Sequence, residues 1–186
     1  MRMILCGLSG VGKDKLLDEV SPYLKEREIK VVAFGEMLFK ELSEDHTLEN
    51  RDNLVQINDC DKKLAIHRCI GSLTAYGGNQ IINTHLVRVN YSGIYHGIEA
   101  ARMLLPTSIT CIEAEPRAIV ERKTSDMSRR RVALSISQIE EVQRVQHEVV
   151  IDLASEAGVG YRFIDNTDTD ITIASSVLKE LIKEEE

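Results

Sequence analysis

The stretch Gly7-Leu8-Ser9-Gly10-Val11-Gly12-Lys13-Asp14-Lys15 follows directly on the apolar run Met3-Ile4-Leu5-Cys6. A strand, a glycine-rich turn and a helix form the setting in which G-x-x-x-x-G-K acts as a phosphate-binding loop. Gly7, Gly10 and Gly12 let backbone amides turn inward, and the positive end of the next helix adds to their pull on an anion. Lys13 is placed to neutralise β- and γ-phosphates. The spacing Gly-x-x-Gly-x-Gly-Lys after a first strand separates this segment from an ordinary glycine-rich turn. A Ser or Thr usually follows the lysine; here Asp14 and then Lys15 stand in its place.

Outward from this loop, strands alternate with helices. Residues 2–6, Lys30 to Phe34, Gln80 to Thr84, Ser108 to Glu113 and Gly160 to Ile164 read as five strands. Helices are predicted over 12–26, from Gly35 with Met37, Leu38 and Leu42 inward, over 59–76 with Asp59 as N-cap, over 97–105, from Pro116, from a capping box at Ser137-Gln138-Ile139-Glu140, and over the C-terminal residues around Leu178. Pro22 is expected to kink or end the first helix near Ser21. Residues 43–53 read as irregular, and 85–97 as a long loop with a functional cause. Such alternation predicts a parallel sheet covered on both faces, with ligands at the carboxyl ends of the strands.

The chain of 186 residues is read as one domain. Its net charge of −7 argues against a broad nucleic-acid surface. The local basic stretches Lys13-Asp14-Lys15 and Arg129-Arg130-Arg131 suit a small anion better than a polymer. No apolar run approaches a membrane span, and the N-terminus reads as a strand and not as a signal peptide. A cytoplasmic protein is expected. Cys6 and Cys111 read as small core hydrophobes. Cys60, His67 and Cys69 fit no common zinc spacing.

Three further stretches bear chemistry. Arg122 closes a helix, and Arg129, Arg130 and Arg131 follow before the next one. A loop carrying arginines can surround a transferring phosphoryl group and exclude water when it closes. The competing reading is a solvated charge run. Asn83-Thr84-His85 ends the third strand, where polar residues face a ligand crevice. Asn50-Arg51-Asp52 lies in a polar connection and says nothing alone.

Taken in order, these stretches resemble the archaeal-type adenylate kinases, a branch of the P-loop nucleoside monophosphate kinases. "VVAFGEML" (31–38) resembles that family's second strand and following helix start. "ENRDNL" (49–54) matches its Arg-Asp pair, and "IINTHLVRVNYSGIYHG" (81–97) resembles its Asp-Thr-His segment, with Gly93 and Gly97 at matching separations. "IEAEPRAIVERKTSDMSRRR" (112–131) resembles its fourth strand, next helix and arginine-bearing lid. The resemblance implies the P-loop three-layer sandwich, with a five-stranded parallel sheet, a monophosphate-binding region at about 35–77 and a short lid at about 124–135. It implies transfer of the ATP γ-phosphate to a nucleoside monophosphate, with AMP the first acceptor, and magnesium with the ATP. Gly7, Leu8, Ser9, Gly10, Val11, Gly12, Lys13, Asp14 and Lys15 would bind ATP. Arg51, His85 and Arg88 would serve the monophosphate. Lys13, Arg122, Arg129 and Arg131 would surround the transferred group. Kinases of this branch are often trimers; no local signal here decides assembly.

Three departures stand out. Asp14 replaces the magnesium-ligating Ser or Thr, Asn83 replaces the acidic residue of the third strand, and the segment after His85 lacks the family's Leu-Pro-Gly-Leu-Pro, with Arg88 one position early. Read together, the first two suggest that Asp14 takes over the metal support that Asn83 cannot give as an anion, so Asp14 and Asn83 form the metal pair. The third leaves a deoxynucleotide or another small phosphate open as acceptor. A regulator that binds nucleotide without catalysis is the reading from another class.

Overall fold

The parallel sheet follows from the strands' composition: the central one is apolar along almost its whole length, as a strand covered on both faces must be. In the computed structural model, which describes residues 1–45, 48, 57–90, 93–125, 133–168 and 170–185, β1 (Arg2–Cys6) is that strand, and its Met3, Ile4, Leu5 and Cys6 are buried. It pairs in parallel with β3 (Gln80–Asn83) on one side and β6 (Ser108–Glu113) on the other. β2 (Lys30–Ala33) and β7 (Gly160–Asp165) complete the sheet in the order β2-β3-β1-β6-β7.

Connection handedness then assigns the helices to faces. Between β1 and β2 the chain moves one way across the sheet through α1 (Lys13–Glu26); every later crossover returns the other way. Right-handed crossovers therefore put α1 on one face. There it packs against α7 (Thr172–Glu185). On the other face lie α2 (Phe34–Asp45), α3 (Asp59–Ala75), α4 (Ile98–Met103), α5 (Pro116–Ser125) and α6 (Ile136–Ala157). The contacts of α6 with α4, α5, β6 and β7 agree with that layer. The five-stranded parallel sheet and two helical layers expected from the sequence are thus present.

Several local expectations change. Pro22 does not end α1, which continues through it to Glu26. Proline removes the bond from its own nitrogen to the Asp18 carbonyl, but both residues lie on the exposed side. The buried stripe Leu16, Leu17, Val20 and Leu24 runs past the proline and holds the helix to the core. α3 is capped by Asn58 and not Asp59: the Asn58 carbonyl oxygen of the side chain accepts from the Asp61 amide at 2.9 Å. The capping box of α6 is formed by Ser135 and Gln138, two residues before the predicted one, with both reciprocal bonds made. α2 runs to Asp45, beyond the point where irregular chain was expected.

The predicted loop at 85–97 contains a second, antiparallel ladder: β4 (Val87–Asn90) pairs with β5 (Gly93–His96). Val87 is buried, Arg88 is exposed and Val89 packs on the core, the alternation of a half-covered strand. Arg51 and the lid arginines Arg129, Arg130 and Arg131 lie outside the described residues, as does the stretch 126–132 of the predicted lid; its flanks are the end of α5 and the Ser135 cap of α6.

Candidate functional site

The glycine loop joins the carboxyl end of β1 to the first turn of α1, level with the ends of β3 and β6. Two glycines are required by space as well as by conformation. Gly7 has φ +140°, and a Cβ there would stand 2.3 Å from the Ile112 carbonyl oxygen of β6. Gly12 has φ +91°, and its Cβ would stand 2.6 Å from Asn166 Nδ2. Gly12 is also the N-cap of α1, and no side chain caps that end. An open helix N-terminus of this kind offers N–H donors to an anion.

Lys13 is 6% exposed. Its Nζ donates to the Gly7 carbonyl at 2.8 Å and the Leu8 carbonyl at 3.3 Å. Burial pulls its ammonium from 10.5 down to about 8; Cys6, Asp14 and Cys111 oppose that shift, and the positive Arg88 adds to it. The lysine is folded against its own loop, holding a charge that an incoming phosphate would compensate. Arg88, on β4, contributes to the same electrostatic field.

His85 follows β3. Its Nδ1–H donates to the Gly7 carbonyl at 2.8 Å, so it supports the start of the phosphate loop. Lys15 is exposed in the first turn of α1, next to Asp14. Asp14 and Asn83, from α1 and from the end of β3, touch: Asn83 Nδ2 donates to Asp14 Oδ1 at 2.8 Å. No group of three or more His, Cys, Asp or Glu among the described residues could hold a metal. The Asp14–Asn83 pair supplies one carboxylate and one amide oxygen. Such hard donors fit a magnesium ion that takes its other ligands from phosphates and water.

Arg122 lies against the loop. Its guanidinium donates to backbone carbonyls: Val11 at 3.3 Å, Asn166 at 2.8 Å, Thr167 at 2.8 Å and Asp168 at 3.4 Å. It therefore joins the phosphate loop to the connection after β7, and so stands beside the loop where the sequence expected a contact with the transferred group. Asn166 shares this work and was not singled out in the sequence. It is buried, donates from Nδ2 to Val11 O at 2.8 Å and from its backbone to Glu113 O at 2.8 Å. The signal that could have found it is the one that marked Asn83: a polar residue just past the carboxyl end of a parallel strand. Cys6 and Cys111 are register partners, both buried in the core beside Lys13. A hydrogen bond with Cys6, and burial after it, push the Cys111 thiol up. No helix of the described residues is long and apolar enough to cross a membrane.

A glycine loop with a buried lysine, set at the carboxyl end of a central parallel strand, defines the P-loop kinase fold. Shikimate kinase from Acinetobacter baumannii shares that fold, with a TM-score of 0.66 at 10% identity, over 98% of this chain and 93% of that one. Shikimate kinase from Bacteroides thetaiotaomicron does so at TM-score 0.60 and 13% identity, over 98% of each chain. An AAA domain family model matches residues 6–140, and the chain belongs to that family. Its resemblance to the archaeal-type adenylate kinases extends over most of its length. It is 27% identical to the adenylate kinase of Thermoplasma acidophilum over 89% of this chain and 90% of that protein. With the adenylate kinase of Saccharolobus solfataricus it shares 28% identity over 93% and 94%.

Proposed function

We propose that the chain is a nucleoside monophosphate kinase that transfers the ATP γ-phosphate to AMP and yields two ADP. The observation that carries the reading is Lys13, buried and positively charged at neutral pH, inside a glycine loop that opens at the carboxyl end of the sheet. The similarity to archaeal adenylate kinases supports the choice of acceptor. In this reading residues 1–186 form one kinase domain, with a monophosphate-binding region at about 35–77 and a lid at about 124–135. It works in the cytoplasm on ATP and a small phosphate acceptor, without nucleic acid or membrane.

The amides of residues 7–15 would hold the ATP phosphates, and Lys13 would exchange its loop carbonyls for the β- and γ-phosphate oxygens. His85 keeps Gly7 in place as the lysine leaves. Arg51, His85 and Arg88 would face the monophosphate. Arg129 and Arg131 would close over the transferring group and exclude water, with Arg122 bracing the loop from behind. The acceptor phosphate attacks in line, so no protein nucleophile is needed. Magnesium, held at Asp14 and Asn83, would offset charge on the phosphates.

The test is ATP consumption with magnesium against the common ribo- and deoxynucleoside monophosphates, with Lys13→Ala as control. AMP-dependent turnover that disappears in Lys13→Ala is the expected result. Turnover on a deoxynucleotide or another phosphate alone would keep the chemistry and replace the acceptor. Tight ATP binding with turnover on none would overturn the enzyme in favour of a nucleotide-binding regulator.

A further inference from the structure

We infer that Asp14 and Asn83 have exchanged the roles usual at a phosphate loop: the carboxylate for the nucleotide's metal comes from α1, and the strand supplies the neutral partner that orients it. The inference deepens the nucleotide-binding reading and rests on it. In the usual arrangement a hydroxyl on the helix meets an acidic residue from the neighbouring strand, and both serve the metal. Here the donor is the amide of Asn83 on β3 and the acceptor is the carboxylate of Asp14 on α1, 2.8 Å apart. The contact is kept and its direction is reversed. One carboxylate remains in the pair, so its formal charge matches that of a hydroxyl and an acid.

The position of Asp14 has two consequences that a strand carboxylate lacks. It lies one residue from Lys13, so the carboxylate for the metal adjoins the buried lysine of the phosphate loop. It also stands at the open N-terminus of α1, where the nucleotide phosphates would lie. A carboxylate so near the phosphates repels a metal-free nucleotide and attracts a metal-loaded one. The site therefore discriminates between the two forms of the ligand before any transfer. Asn83 is the positioning residue: by donating to Oδ1 it turns Oδ2 into the oxygen available to a cation. An amide at 83 can make this bond, whereas an ionised acid there has no hydrogen to donate.

The test measures ADP binding by calorimetry, in EDTA and in magnesium, so it does not depend on turnover. The wild-type protein should bind ADP much more tightly with magnesium. In Asp14→Asn that enhancement should shrink by about tenfold or more, and the metal-free affinity should rise, because a unit charge near the phosphates is removed. Asp14→Thr should behave likewise and guards against a folding defect peculiar to one substitution. Asn83→Asp places a second carboxylate beside Asp14 and should lower the metal-free ADP affinity further, widening the gap between EDTA and magnesium. Asp14→Thr combined with Asn83→Asp restores the usual arrangement and should recover most of the enhancement, a coupling that independent sites would not show. An unchanged magnesium enhancement in both Asp14 variants, folded by circular dichroism, would overturn the exchange while metal-free ADP binding, lost in Lys13→Ala, left the nucleotide site standing. ADP binding by none of the proteins in either condition would overturn the nucleotide reading and the exchange with it.

Discussion

Lys13 offers the sharpest test of how the phosphate loop is built. Its ammonium is held at about 8 in the fold against 10.5 in open chain, with burial the main cause. That difference makes the charged form about 3 kcal/mol less favourable in the folded protein than in the unfolded one. The perturbation is Lys13→Met, which keeps the length of the stem and removes the charge. The acceptors that Lys13 leaves retain other partners: Gly7 O keeps His85 Nδ1 at 2.8 Å, and Leu8 O keeps the Val11 amide at 3.4 Å. The sign follows from proton counting. Between about 8 and 10.5 the unfolded chain holds a proton that folded Lys13 has released. Unfolding takes up protons there, and the wild-type protein gains stability as pH rises through that window. Below about pH 8 the burial cost is present in full; above 10.5 it has vanished. Urea unfolding of both proteins without nucleotide, from about pH 7 to about pH 11, isolates this contribution because other titrations cancel in the difference. The wild-type protein should gain about 3 kcal/mol relative to Lys13→Met across the window. A difference that stays flat with pH would refute the reasoning, since it would mean that the lysine is solvated when no nucleotide is added.

Two further substitutions probe the loop and its helix. Gly12→Ala should destabilise the protein by about 2 kcal/mol or more, from the left-handed backbone and the crowding of Asn166, and should abolish ADP binding in calorimetry. Pro22→Ala restores an N–H in the exposed middle of α1 and should stabilise the protein by about 2 kcal/mol in urea unfolding, with ADP affinity unchanged.

The strand positions and the phosphate loop were legible because their signals are local. Met3 to Cys6 is a continuous apolar run, and Ile81-Ile82, Ile109 and Cys111-Ile112 form the apolar centres of two further short runs; a parallel strand covered on both faces leaves that mark on its own residues. The hairpin of β4 and β5 was not legible: β2 and β3 are as short, but they carry adjacent apolar pairs, whereas Val87-Arg88-Val89-Asn90 and Gly93-Ile94-Tyr95-His96 mix apolar residues with polar ones and glycine. The caps of α3 and α6 were misplaced by one and two residues. Asn58 and Asp59, like Ser135 and Ser137, are all competent caps, and backbone geometry selects between them.

The site divides along the same line. By itself the sequence determined that an anion-binding loop opens at the end of β1, since its spacing, its glycines and Lys13 sit within nine consecutive residues. Only the tertiary structure decided what those residues touch. Asn83 reaches Asp14 across 69 positions, Arg122 reaches Asn166 across 44, and Asn166 reaches Val11 across 155. The parallel register aligns the ends of β1, β3 and β6. That register turns an apparent defect at position 14 into half of a hydrogen-bonded pair and sets the Arg122 guanidinium against the carbonyl of Val11 in the phosphate loop. Directional bonds depend on where distant backbone ends meet, and a linear pattern of residue types does not carry that information.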